Sequence, residues 1–122
     1  VDVLIAPVTG PEVVTGSTRM KAGTATKLVL NTITTAAMIR IGKTYGNLMI
    51  DLKVTSSKLE DRGRRILRDL QGMDYEEAGE LLRRSGGSVK TALVMHRLGV
   101  ERAEAERRLA DAGGFLRKAW EA

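Results

Sequence analysis

Glycines cut the second half of this chain at short intervals: Gly72, Gly86-Gly87, Gly99 and Gly113-Gly114. Glycine is the residue that most readily ends a helix in the left-handed conformation. The spacing therefore permits only short helices beyond Gly72, and cap residues fall where such helices must start. Asp74 to Glu77 has capping-box spacing ahead of Ala78, Leu81 and Leu82. Ser88 caps a second helix with Val89, Ala92, Leu93 and His96 on its apolar face. A third runs from about Glu101 to Ala112, with Ala105 and Leu109 inward. A last turn bears Phe115, Leu116, Ala119 and Trp120, and Phe115 with Trp120 reads as a hydrophobic latch. Three short helices and a tail make a module of about 50 residues, marginal for an independent core. It is expected to dock on the preceding part or on a second subunit.

The first half has a different texture. Val1 to Ala6, stopped by Pro7, reads as a buried strand of a parallel sheet. Such a strand needs neighbours on both sides, and only one more good strand follows. The chain is therefore expected to be part of a longer protein. A loop from Pro7 to Gly16 leads to a helix starting at about Thr18 or Lys21 and ending near Arg40. Ala25, Leu28, Val29, Thr32, Ile33, Ala36 and Ala37 recur on one face of it, and Leu30 and Ile39 widen that face. The small residues Gly23, Ala25, Ala36 and Ala37 suggest a subunit interface. Gly42 and Gly46 mark a turn, and Leu48 to Val54 alternates as a half-exposed edge strand, with Leu48, Ile50, Leu52 and Val54 on one side. Ser57 to Glu60 has capping-box spacing and opens a helix with Leu59, Ile66, Leu67 and Leu70 inward, ending at Gly72.

Composition removes several classes of function. No apolar run approaches the roughly 20 residues that span a bilayer, so no membrane partner is expected. Cysteine is absent, and His96 is the one histidine, which rules out thiol chemistry and a histidine-rich metal site. The formal charge of +5 and pI of about 9.9 invite a nucleic-acid reading. From Ser57 onward, however, 14 Lys and Arg are interspersed with 12 Asp and Glu, the pattern of solvated helix faces. Arg62, Arg64, Arg65 and Arg68 read as one such face, and few aromatics are present to stack on bases. Nucleic acid is not an expected partner. His96 has no Ser, Cys or Asp at a readable spacing and is expected to be packed or on the surface.

One stretch carries chemistry: Gly10 to Lys27, GPEVVTGSTRMKAGTATK. Thr15, Ser17 and Thr18 cluster around Gly16 just before a helix, with Arg19 and Lys21 beside them. The free N–H groups and dipole of a helix N-terminus favour an anion, and glycine lets backbone approach a ligand. These residues suit a phosphate cradle at the carboxyl end of a strand. They equally suit a Ser17 or Thr18 helix cap with the two cations paired to surface acids.

The run Gly-Pro-Glu, then Gly-Ser-Thr-Arg-Met-Lys, Ala-Gly-Thr-Ala and Lys27 resembles the signature of the sugar isomerase-type (SIS) phosphosugar-binding family. Within it, the run is similar to the branch holding N-acetylmuramic acid 6-phosphate etherases and glucokinase regulatory proteins. The resemblance continues through Lys27 to Asn31, Gly46 to Asp51, Lys90 to Ala92 and Gly113 to Phe115, and these later stretches look more like the bacterial etherases. The fold implied is α/β: the C-terminal part of a SIS parallel-sheet domain over 1–72, then a small three-helix module over 73–122. That module is similar in length and glycine punctuation to a ubiquitin-associated-type bundle, in shape only.

The activity implied for the full-length protein is a cytoplasmic, dimeric lyase of cell-wall recycling. It would cleave the D-lactyl ether of N-acetylmuramic acid 6-phosphate to N-acetylglucosamine 6-phosphate and D-lactate, with no metal or cofactor. Elimination of lactate precedes addition of water and calls for paired glutamates with separated pKa values. Those glutamates are expected upstream, so no catalytic residue is expected here and the chain alone is expected to be inactive. Ser17, Thr18 and Arg19 match the ligand-contacting stretch best, followed by Lys21 and then Lys27. Glu12 fits either a contact to sugar hydroxyls or a partner subunit, or a structural acid receiving backbone N–H bonds. A rival implication is a non-catalytic phosphosugar-binding regulator, disfavoured because no second sugar-binding domain follows.

Overall fold

The structure is a computed structural model and describes residues 2–121. The chain divides into two compact units, Val1–Ala37 and Met38–Ala122. In the first, a long loop leads into α1 (Lys21–Arg40), whose last turn belongs to the second unit. The expected parallel strand begins at Val1, which lies outside the described residues, and from Asp2 to Ala6 no strand forms. A buried parallel strand needs hydrogen-bonded partners at its edges, and no other segment of the described residues pairs with this one. Among the described residues the segment is therefore exposed, with Leu4 at 82% and Val8 at 98% exposure. The length of α1 follows the expected apolar periodicity, yet none of its described residues is buried.

The second unit begins with the end of α1, where Gly42 lies at φ 74°. Gly42 N–H donates to Ile39 and Lys43 N–H to Met38, both at 3.0 Å, which closes the helix in a Schellman motif. A Cβ on Gly42 would lie 3.1 Å from the Phe115 ring, tight enough that the aromatic would have to shift to admit a side chain. A hairpin follows, β1 (Thr44–Tyr45) paired antiparallel with β2 (Leu48–Met49) through Tyr45 and Leu48. Gly46 at φ 57° with no positive φ at Asn47 is the pattern of a two-residue hairpin loop of type II′. The longer strand expected over Leu48 to Val54 reduces to β2 and one bridge, Lys53 to Ser88. Its alternation survives: Ile50 is buried and Leu48, Leu52 and Val54 half-buried, while Met49, Asp51 and Lys53 are exposed.

Five helices complete the unit: α2 (Ser57–Gln71), α3 (Tyr75–Arg84), α4 (Val89–Leu98), α5 (Arg102–Asp111) and α6 (Leu116–Glu121). Ser56 caps α2, accepting from Leu59 N–H, one residue ahead of the expected Ser57. Asp74 caps α3 and Ser88 caps α4 as the spacing predicted, and Gly72 and Gly99 end α2 and α4 in the left-handed conformation. The core sits around α4, against which α2, α3, α5 and α6 all pack. That explains why Val89 to Met95 are buried on every side, a pattern that a one-sided helix cannot show. Leu67, Val89, Leu93 and Val94 are fully buried, each removal from water worth about 1.5–3 kcal/mol.

Across the boundary expected between 72 and 73, α2 packs on α3 and α4, and Gly63 of α2 leaves no room for a Cβ beside Leu82 and Val89. His96 lies on the surface, one of the two places expected for it, rather than on the buried face of α4, with Nδ1 3.3 Å from Gln71 Oε1. Three of the four arginines of the α2 face are paired: Arg64 with Glu60 at 2.6 Å, Arg65 with Asp61 at 2.9 Å and Arg68 with Asp69 at 2.8 Å. Arg64 is also half-buried, lying over the Tyr75 ring and covering Gly79. The aromatic latch forms with a partner not foreseen: Trp120 meets Tyr45 edge to face at 5.1 Å, with Arg97 over the indole.

Candidate functional site

The stretch singled out by sequence folds as a closed loop in front of α1. Val14 to Ser17 is a turn in which Ser17 N–H donates to Val14 at 3.1 Å, with Gly16 third at φ 84°. A positive φ at that position marks a type II turn, which glycine enters without strain. The turn delivers Ser17, half-buried, and then Thr18 and Arg19, both exposed. The first helical bond of α1 runs from Thr24 N–H to Met20, so Met20 stands at the cap position. Neither Ser17 nor Thr18 caps the helix.

The cap is supplied from further away. Glu12 accepts from Lys21 N–H through Oε2 at 3.0 Å and from Ala22 N–H through Oε1 at 3.1 Å. A carboxylate thus satisfies two of the donors that a helix start leaves unpaired, at the end of the dipole that favours negative charge. Among the described residues no ion pair engages Arg19, Lys21 or Lys27. Hydroxyls of Ser17 and Thr18 with the guanidinium of Arg19 therefore follow one another along exposed backbone, with cationic Lys21 two residues on. Lys27 lies in the second turn of α1 and is exposed. Such a loop is suited to hold a small oxyanion through hydroxyl, backbone and guanidinium donors.

A second polar cluster, not singled out by sequence, lies in the other unit. Lys90 is buried on α4 and donates to Gly114 C=O at 2.9 Å while standing 3.3 Å from Asp51 Oδ1. Lys43 pairs with the other oxygen of Asp51 at 2.8 Å. Burial works against the charged form of Asp51, but the hydrogen bond from Lys43 and the charge and hydrogen bond of Lys90 outweigh it and hold its carboxyl below the usual range. The available signal was a lysine inside the otherwise apolar run Val89 to Met95. A neighbouring cleft of about 340 Å³ is lined by Asp51, Ser85, Ser88, Thr91, Arg102 and Glu106. Its hydroxyls and guanidinium are already used: Ser85 donates to Leu82, Thr91 to Ser88, and Arg102 to Glu106. In the loop before α1, by contrast, no side-chain hydrogen bond or ion pair among the described residues occupies Ser17, Thr18 or Arg19.

No family model matches the chain. Curated relatives do. The chain is 58% identical over 120 residues to an N-acetylmuramic acid 6-phosphate etherase of Salinibacter ruber, covering 98% of the chain and 39% of the relative. It is 54% identical over 110 residues to the protein of that name from Deinococcus radiodurans, covering 90% of the chain and 36% of the relative. It is likewise 54% identical over 121 residues to one from Synechocystis, covering 99% of the chain and 40% of the relative. The chain thus spans about two fifths of the length of the curated relatives it matches.

Proposed function

From a chain related over nearly its whole length to part of the N-acetylmuramic acid 6-phosphate etherases, we propose that the protein is a lyase. In this reading it removes D-lactate from N-acetylmuramic acid 6-phosphate and leaves N-acetylglucosamine 6-phosphate. The observation that carries the reading is this relationship, which includes the Gly10 to Lys27 loop with its unpaired Arg19 and Lys21. Ser17, Thr18 and Arg19 hold the phosphosugar, and Lys21 adds positive charge to the same field. Fixing the substrate through its phosphate leaves the lactyl ether to be presented to an acid–base pair. We assign that pair to the share of the protein outside these residues.

The reading has structural consequences for the whole protein. Residues 1–72 close a SIS parallel sheet, in which the exposed Val3, Leu4 and Ile5 find neighbours, and 73–122 form a helical module with the hairpin and α2 packed onto it. The protein assembles as a homodimer in the cytoplasm, and no helix of the described residues is long and apolar enough to cross a membrane. Incubating the full-length protein with N-acetylmuramic acid 6-phosphate and assaying D-lactate tests the activity. Lactate release at a rate proportional to enzyme is expected; phosphosugar binding without lactate would replace the enzyme with a sugar-phosphate regulator.

A further inference from the structure

We infer that Glu12 is a positioning residue for the anion-binding loop and does not touch the sugar. The inference rests on the phosphosugar reading of that loop. Both carboxylate oxygens of Glu12 are engaged by backbone N–H groups nine and ten residues further on, at 3.0 and 3.1 Å. This closes residues 13–20 into a loop held at two points, the Val14–Ser17 turn and the Glu12 clamp. Every residue assigned to phosphate recognition before Lys21 lies between those points.

The clamp also decides where a phosphate can sit. The N–H groups of Lys21 and Ala22, the natural anion seat of α1, already hold a carboxylate. A phosphate placed on the same donors would meet a like charge at hydrogen-bond range, which is repulsive. The ligand is therefore read ahead of the helix by Ser17, Thr18 and Arg19, and Glu12 acts on it only through their placement. Glu12→Ala removes both acceptors, Glu12→Asp shortens the reach, and Glu12→Gln keeps the length and one acceptor.

The test uses the full-length protein and two readouts. Inorganic phosphate binding is followed by calorimetry, and lactate release gives kcat and KM. For Glu12→Ala and Glu12→Asp, the phosphate Kd and the KM for the sugar phosphate should rise by the same factor, about tenfold for the loss of an oriented charge-assisted contact. The kcat should hold, and Glu12→Gln, which keeps one of the two acceptors, should lose less than Glu12→Ala. If Glu12→Ala does not fold, the Asp and Gln variants carry the comparison. A raised KM with unchanged phosphate Kd would place Glu12 on the sugar and overturn the inference, as would a fall in kcat alone or no change in either constant. Wild-type protein that binds phosphate without releasing lactate would sink the etherase reading while leaving the clamp measurable. Wild-type protein that binds no phosphate would end both.

Discussion

Lys90 reaches 24 residues along the chain to donate its ammonium to the carbonyl of Gly114 at 2.9 Å. The bond joins the central helix α4 to the turn before α6, and Asp51 brings the strand segment to the same ammonium at 3.3 Å. A buried ammonium is tolerated when such partners replace its water. Substituting Lys90→Met keeps the aliphatic stem but leaves the Gly114 carbonyl without its donor. Asp51 retains Lys43, so no carboxylate is stranded. The expected loss of stability is about 1–3 kcal/mol, read from the urea midpoint; an unchanged midpoint would reduce the contact to packing.

Acid should weaken the helical unit through three carboxylates. Hydrogen bonds from Arg107 and Arg108 bring Glu104 from 4.5 to about 2, and Asp61, hydrogen-bonded by Tyr75, and Asp51 are lowered as well. A folded pKa below the unfolded one gives stability that is present above the unfolded value and lost as pH falls through the folded one. Melting temperature is therefore expected to hold down to about pH 4.5 and to drop toward pH 2. Glu104→Gln should lower it near neutrality and flatten the profile below pH 4.5. An equally steep acid limb in that variant would assign the loss to other groups.

Two glycines with the same backbone angle should respond differently to alanine. Gly42 and Gly72 lie at φ 74° and 72°, so each substitution pays about 1–2 kcal/mol for a left-handed Cβ. Around Gly72 nothing stands within 4 Å, whereas Gly42 lies against the Phe115 ring and the Gly114 carbonyl. Gly42→Ala should therefore be the more destabilising in denaturant melts. Equal losses would show that the Phe115 ring moves freely aside.

Arg19 is the exposed cation between the hydroxyls and the start of α1. Arg19→Ala in the full-length protein is expected to weaken phosphosugar binding by about 1.5–3 kcal/mol, the range of a hydrogen bond to a charged group. Calorimetry with the sugar phosphate measures it directly. An unchanged affinity would leave Ser17, Thr18 and Lys21 to hold the phosphate.

Much of the helical unit was legible because its signals are local. Asp74, Ser88, Gly72 and Gly99 terminate helices through bonds that span a few residues, so their spacing alone locates the ends. The loop of the candidate site was legible for the same reason, as hydroxyls, Gly16 and Arg19 run together in sequence. Less was legible where partners are remote. A strand at Val1 to Ala6 depends on neighbours that the described residues do not contain, and the exposure of His96 is set by which sides of α4 are packed.

The sequence by itself determined the short capped helices, the alternation around Ile50 and the concentration of hydroxyls, glycines and cations between Gly10 and Lys27. Tertiary structure alone decided that Lys90 is buried against Gly114 and that Phe115 closes over Gly42, since these contacts join segments far apart in the chain. It also placed the Glu12 carboxylate on the N–H groups of Lys21 and Ala22. Caps and turns are written in neighbouring residues. The pairing of a buried charge is settled only when folding removes the water that would otherwise serve it.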